Sequence, residues 1–84
     1  MRKRVLLVED DASIALVITA ALEAEGFNVD RCDSIAGRDR FLASHSYQLL
    51  LTDVMLTDGD GIETIGRVRD ADPGLPIIIL SAQN

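Results

Sequence analysis

The stretch VLLVEDD, residues 5–11, joins an aliphatic run directly to three consecutive carboxylates. Four aliphatic residues bounded by polar residues are typical of a strand that is buried on both faces of a parallel sheet. Similar runs occur at residues 49–51 (LLL) and 77–80 (IIIL). Residues 27–32 (FNVDRC) instead alternate between apolar and polar side chains, which indicates a half-exposed strand at a sheet edge. The sequence therefore predicts four strands, three of them buried.

The segment between the first two strands has the spacing of an amphipathic helix. We expect this helix to span residues 12–25, with Asp11 as its N-cap, because Asp is among the residues preferred at that position. Its apolar residues recur at intervals of three and four and are predicted to form one buried face: Ile14, Val17, Ile18, Ala21 and Leu22.

Two further helices are predicted between the later strands. Ser34 can cap the second helix, in which Gly37 lowers the intrinsic stability by about 1 kcal/mol relative to Ala. Its shared face is Ile35, Leu42 and Ala43. The third helix is expected to begin at Asp60, in a capping box with Glu63. Its buried stripe is predicted to be Ile62, Ile65 and Val68.

Strands that alternate with helices predict one α/β domain over residues 1–84, built on a doubly wound parallel sheet. With the alternating strand at the edge, the expected strand order is 2-1-3-4. The connection then reverses direction between the first and third strands. Ligands in such sheets bind at the carboxyl ends of the strands beside this reversal, so a functional site is expected there.

Acidic residues occupy both of these strand ends. Glu9 and Asp10 follow the first strand, and Asp53 follows the third. Carboxylates about 4 Å apart repel one another by several kcal/mol at an intermediate dielectric. Mg²⁺ would relieve this repulsion, because it is typically held by one or two carboxylates together with water and phosphate oxygens. No Gly-rich phosphate loop follows the first strand, so the crevice is expected to bind an anion only through a metal.

The composition narrows the classes of function. Eight Lys and Arg residues against 14 Asp and Glu residues leave a net charge of −6, which argues against nucleic-acid binding by this domain. No apolar run approaches the ~20 residues that span a bilayer, so no membrane segment is expected. Cys32 is the only cysteine, which rules out an intrachain disulfide and favours a reducing cytoplasm. Neither Cys32 nor His45 stands in a catalytic pattern.

Four motifs, taken together and in order, resemble the receiver domain of bacterial response regulators. They are residues 5–11 (VLLVEDD), residues 51–56 (LTDVML), residues 60–61 (DG) and residues 76–82 (PIIILSA). The resemblance covers the whole chain and implies the flavodoxin-like, CheY-like version of the predicted fold. Residues 81–84 (SAQN) resemble the NtrC-type branch of the family, whose members usually add an ATPase and a DNA-binding domain.

The resemblance also implies a role for each site residue. Asp53 would accept a phosphoryl group from a sensor histidine kinase, and Ser81 would be the switch hydroxyl that binds the phosphoryl group. The implied Mg²⁺ ligands are Glu9, Asp10, Asp53 and the backbone carbonyl of Met55. A protein of this kind is a regulatory phospho-acceptor rather than a classical enzyme, and its usual output is the control of transcription.

The chain departs from the family pattern in two ways. Thr57 stands where the family usually has proline, which is expected to loosen the loop after Asp53. Receivers also have five strands, and a conserved lysine ends the fifth, whereas the only lysine here is Lys3. We therefore expect these residues to be the N-terminal part of a longer receiver, cut after the fourth strand.

Two other functions remain open at this stage. The domain could be an interaction module that works without phosphorylation, as a homodimer or a strand-exchanged oligomer. It could instead be a metal-dependent phosphohydrolase with an aspartate nucleophile. That chemistry would require a second carboxylate two residues after Asp53, where Met55 stands.

Overall fold

The computed structural model describes residues 3–53, 55–56, 58–60 and 64–80. Its elements in chain order are β1 (Arg4–Val8), α1 (Ala12–Ala24), β2 (Asn28–Cys32), α2 (Ile35–Ser44), β3 (Leu49–Asp53), β4 (Met55–Leu56), β5 (Gly59–Asp60), α3 (Ile65–Ala71) and β6 (Ile77–Leu80). Four strands form a parallel sheet in the order β2-β1-β3-β6. The predicted α/β fold and strand order 2-1-3-4 are confirmed, since β6 is the fourth strand of this sheet.

The sheet has a hydrophobic core on each face, because successive side chains of a strand point to opposite sides. On one face, Leu6, Val8 and Leu50 pack with residues of α2 and α3. On the other face, Val5, Leu7 and Leu51 pack with residues of α1. Helices therefore cover both faces, which is the doubly wound arrangement that the sequence predicts.

Helix α1 presents a narrower buried face than its spacing predicts. Asp11 caps it as expected, accepting hydrogen bonds from the backbone N–H groups of Ser13 and Ile14 at 2.9 and 3.1 Å. The side chains that pack on the sheet are Ala15, Ile18 and Leu22. Ile14 and Val17, predicted to be buried, are 42% and 69% exposed, and Ala21 is exposed. One flat sheet face contacts only a narrow stripe of a helix, so the wider predicted face is wrong.

Helix α2 lies close to strand β2 because of a glycine. Ser34 caps the helix as predicted, through a hydrogen bond from the Gly37 N–H at 3.0 Å. A Cβ atom at Gly37 would lie 3.0 Å from Cβ of Cys32, so a larger residue would push the helix away from the strand. Of the predicted face, Ile35 is buried and Leu42 packs against the core, whereas Ala43 is exposed.

Helix α3 begins five residues later than the sequence predicts. It spans Ile65–Ala71, and Thr64 at its N-cap makes no side-chain capping hydrogen bond. Asp60 is instead part of β5, which pairs antiparallel with β4. Pairing in a hairpin holds the backbone of Asp60 in an extended conformation, which prevents the helix from starting there. The predicted partner Glu63 lies outside the described residues, as does Ile62.

The sequence predicts that strand β6 is buried on both faces, and this is wrong for the described part of the chain. The strand pairs with β3 on one side and ends the sheet order there. Ile78 and Ile79 are consequently 51% and 37% exposed.

Among the described helices, none has both the length and the apolarity required to cross a membrane.

Candidate functional site

Three carboxylates meet at the carboxyl ends of β1 and β3. Val8, the last residue of β1, is in register with Thr52, so Glu9 and Asp53 follow at the same edge of the sheet. One carboxylate oxygen from each of Glu9, Asp10 and Asp53 lies within 4.8 Å of the other two. The structure therefore brings together the three carboxylates that the sequence places at the topological reversal.

Glu9 is the buried member of this cluster. Its side chain is 4% exposed, whereas Asp53 is half-buried and Asp10 is exposed. Burial raises the pKa of the Glu9 carboxyl above its ordinary value, and the neighbouring Asp53 and Asp10 carboxylates raise it further. A hydrogen bond from the Asp11 backbone N–H to Glu9 Oε2, at 3.2 Å, acts in the opposite direction. The charged form of Glu9 is thus disfavoured when no cation lies beside it.

The turn that carries Glu9 and Asp10 is held by contacts with strand β2. The Glu9 N–H donates to the Cys32 carbonyl at 3.0 Å, which extends the β1–β2 pairing by one residue. The Arg31 guanidinium donates through Nε and an Nη atom to the Glu9 carbonyl, at 3.0 and 2.7 Å. No local sequence pattern marks Arg31 as a residue of the site. Its register with Leu7 places it beside the end of β1, and this register is visible only in the structure.

Of the two remaining predicted site residues, the structure describes the backbone of Met55 but not Ser81. The backbone of Met55 lies in β4, two residues after Asp53. Ser81 lies outside the described residues, directly after Leu80, whose backbone is in register with Asp53. Lys3 lies before β1, at the opposite end of that strand from Glu9, where its carbonyl accepts from the Asn28 N–H at 2.9 Å.

A second residue that the sequence reasoning missed is Asp58. Its sequence context indicates only a turn, but its carboxylate accepts hydrogen bonds from the first two N–H groups of α2. The signal available in the sequence was an acidic residue in the loop after Asp53. Its partner lies 22 or 23 residues away, so no local pattern could have identified the contact.

The donor set indicates which ligand this cluster can bind. All three groups are carboxylates, which are hard oxygen donors suited to Mg²⁺, Ca²⁺ or Mn²⁺ rather than to softer metals. One carboxylate is buried and two are accessible, so a cation could be held on one side and still contact a second ligand from solution. The residues therefore fit a divalent cation that shares its coordination with an anionic substrate.

Most of the chain is similar in sequence to known bacterial proteins. Residues 5–84 match the response regulator receiver domain family. The swarming motility regulation protein RssB of Serratia marcescens is 40% identical over 80 residues, which are 95% of this chain and 36% of that protein. The transcriptional regulator NtrC of Rhizobium meliloti is 34% identical over 95% of this chain and 16% of its own length.

The fold also has counterparts among solved structures. The response regulator TrrA of Thermotoga maritima, solved in complex with Mg²⁺ and a beryllium fluoride, superposes with a TM-score of 0.91 at 27% identity. The superposition covers 98% of this chain and 71% of that one. The chain spans about a third or less of the two regulators named above. By sequence and by fold, the chain belongs to the response regulator receiver domain family.

Proposed function

We propose that this chain is the phospho-acceptor part of a two-component response regulator, with Asp53 as the acceptor for a sensor histidine kinase. The observation that carries the proposal is the meeting of Glu9, Asp10 and Asp53 at the reversal of the sheet. Asp53 is assigned as the acceptor because it is half-buried and ends β3, a strand that pairs with β1 on one side and with β6 on the other. Receiver domains are regulatory proteins, and histidine kinases phosphorylate them.

The transfer itself needs little from the protein beyond position and charge. A carboxylate oxygen of Asp53 attacks phosphorus in line, forming a P–O bond as the P–N bond to the donor imidazole breaks. The electron pair of that bond stays on the leaving nitrogen, which takes a proton from solvent. The product is an aspartyl phosphate. Ser81 would donate a hydrogen bond to one of its phosphoryl oxygens.

Four groups would hold Mg²⁺ at this site. Asp10, Asp53 and the Met55 carbonyl would bind the metal directly, with Glu9 acting through water. Mg²⁺ would neutralise charge on the phosphoryl oxygens as the donor bond breaks. The raised pKa of Glu9 supports this assignment, because a carboxylate held among like charges is one that a cation stabilises.

The output and the location form part of the same proposal. Transcriptional control is favoured because NtrC, a DNA-binding transcriptional regulator, is among the relatives. A cytoplasmic location is supported by the single cysteine, Cys32, which is buried and has its pKa raised by burial to about 11.

The exposed apolar residues of β6 favour a second activity, the formation of a homodimer or a strand-exchanged oligomer.

Mn²⁺ binding tests the metal site. Asp10→Ala should lower the affinity for Mn²⁺ by about tenfold or more, since loss of outer-shell partners alone typically costs that much. A free Mn²⁺ concentration of about 100 times its Kd should raise the free energy of unfolding of the native chain by about 2.7 kcal/mol. Calorimetry gives the affinity and thermal unfolding the stability. Asp11→Asn, which keeps a capping oxygen, is the control. An unchanged affinity in Asp10→Ala would show that the site is misassigned.

The pH dependence of binding tests the environment of Glu9. Because the folded-state pKa of Glu9 lies above its ordinary 4.5, protonation should begin to compete with Mg²⁺ at a higher pH than for an ordinary carboxylate. Without metal, the ionised form costs stability, and this cost disappears as pH falls through the raised pKa. Mg²⁺ affinity measured from about pH 7 downward should therefore fall earlier in the native chain than in Glu9→Gln. If Mg²⁺ affinity fell over the same pH range in the native chain and in Glu9→Gln, the raised pKa of Glu9 would play no part in metal binding.

A further inference from the structure

The hairpin that follows Asp53 is anchored on the first turn of α2. Asp58 Oδ1 accepts from the Ile35 N–H at 2.7 Å, and Asp58 Oδ2 accepts from the Ala36 N–H at 3.0 Å. The first N–H groups of a helix have no partner within the helix and lie at its positive end, so a carboxylate there is doubly favoured. Both oxygens of one side chain are thus used to join the hairpin to the helix.

Apolar contacts hold the same two segments together. Leu56 of β4 is buried and belongs to one core cluster with Ile35 of α2. Gly59 of β5 has a φ of +149°, and a Cβ atom there would lie 3.0 Å from Cδ1 of Ile35. A side chain at this position would strain the backbone and would have to displace the terminal methyl group of Ile35. The hairpin therefore lies directly against Ile35.

Helix α2 also contacts the far end of the same connection. Arg38 is fully buried, and its guanidinium donates to Thr64 Oγ1 at 2.8 Å, at the entry to α3. Asp39 accepts from the same guanidinium at 2.9 and 3.0 Å and so compensates its buried charge. The helix thus holds the connection between β3 and α3 at two points, Asp58 and Thr64. Asp53 and Met55 precede the first of these points.

We propose that Asp58 is a positioning residue for the divalent-cation site. By capping α2, it holds the β4–β5 hairpin in place and with it the backbone of Met55, whose carbonyl is assigned above as a metal ligand. The inference rests on the proposed function, because it concerns the same site. It adds that α2 is energetically coupled to cation binding.

Coupling of this kind must act in both directions. If the capping hydrogen bonds of Asp58 favour the cation-binding arrangement of the hairpin, bound cation must favour the capping hydrogen bonds by the same free energy. Loss of the cap should weaken cation binding, and bound cation should protect the N–H groups of Ile35 and Ala36. A cap that only stabilises the fold would produce neither effect.

Three variants of the full natural chain distinguish the effect of losing the capping hydrogen bonds from the effect of losing a negative charge. Asp58→Ala removes both acceptors and should weaken Mn²⁺ binding by about tenfold, the lower end of what outer-shell losses cost. Asp58→Asn keeps one acceptor oxygen and sets its amide NH2 group against the second helix N–H, so its Mn²⁺ affinity should lie between that of Asp58→Ala and that of the native chain. Asp33→Ala removes a carboxylate just before α2 and should stay within about twofold of the native affinity, since no capping contact is lost. Calorimetry with Mn²⁺ measures all three.

Amide hydrogen exchange with Mg²⁺ supplies a readout on the unmutated chain. Saturating Mg²⁺ should slow exchange of the Ile35 and Ala36 N–H groups severalfold relative to that of Ser44, at the other end of α2. The same addition should not change this ratio in Asp58→Ala. If Mg²⁺ leaves the ratio unchanged in the native chain, α2 is not coupled to the site and the inference fails.

The binding outcomes distinguish this inference from the proposed function. If Asp10→Ala weakens Mn²⁺ binding and Asp58→Ala does not, the inference fails and the metal site stands. If Asp58→Ala and Asp33→Ala weaken binding equally, charge alone is responsible and the positioning role is overturned. If the native chain binds no Mn²⁺, the proposed function and the inference fail together.

Discussion

Replacement of Asp53 by asparagine should abolish phosphorylation of this protein. With Mg²⁺ and acetyl phosphate, the full natural chain should acquire one phosphoryl group, and Asp53→Asn should acquire none. The physical reason is that a neutral amide oxygen is a poor nucleophile, and the substitution also removes one of the three carboxylates that lie within 4.8 Å of one another. Intact-mass spectrometry measures the adduct directly.

The matched control for this prediction is Asp11→Asn. Asp11 is a neighbouring carboxylate that caps α1, and asparagine caps a helix about as well, so fold and phosphorylation should both survive. A phosphoryl adduct that persists in Asp53→Asn would show that another residue is the acceptor. Peptide mapping of that adduct would then identify the residue.

The 84-residue chain produced alone should self-associate. In the described part of the chain, one side of β6 pairs with β3 and the strand ends the sheet order. Ile78 and Ile79 are exposed on that strand, and Leu16 and Val17 are 70% and 69% exposed on α1. An apolar edge strand with free backbone groups is a template for pairing with a second chain. Sedimentation should therefore give an apparent mass above the 9.1 kDa of one chain, rising with concentration.

Two single substitutions locate the surface responsible. Ile78→Lys places a charge on the edge strand and should reduce the apparent mass strongly, whereas Val17→Lys on α1 should reduce it less. A chain that carries further residues able to pair with β6 should associate less than the 84 residues alone. A sharp monomer at all concentrations, with strongly protected backbone N–H groups along residues 77–80, would contradict the prediction.

Local patterns were sufficient for the main elements and for the acidic site. Whether a strand is buried on one face or on both can be read directly from its sequence. Burial on both faces gives the continuous aliphatic run at residues 5–8, and burial on one face gives the alternation at residues 27–32. Once the alternating strand is placed at the edge, topology alone brings Glu9, Asp10 and Asp53 to one end of the sheet. The carboxylate cluster could therefore be predicted without any knowledge of side-chain packing.

Local patterns failed where a competing partner lies far along the chain. Asp60 has the residues of a capping box around it, but pairing with β4 places it in a hairpin, so α3 starts at Ile65. Ile14 and Val17 have helical spacing, but the width of the contact with the sheet decides which residues of α1 are buried. In both cases a tertiary contact outweighs a local preference that is worth about 1 kcal/mol or less.

The amino-acid order alone determines the four sheet strands, their sequence across the sheet and the three carboxylates at its reversal, because each follows from periodicity and from the rules of chain connection. Only the tertiary structure shows that Arg31 binds the Glu9 carbonyl and that Asp58 caps α2. Both contacts join residues more than 20 positions apart through side-chain hydrogen bonds, whose geometry depends on how helices and strands pack rather than on any repeat in the sequence.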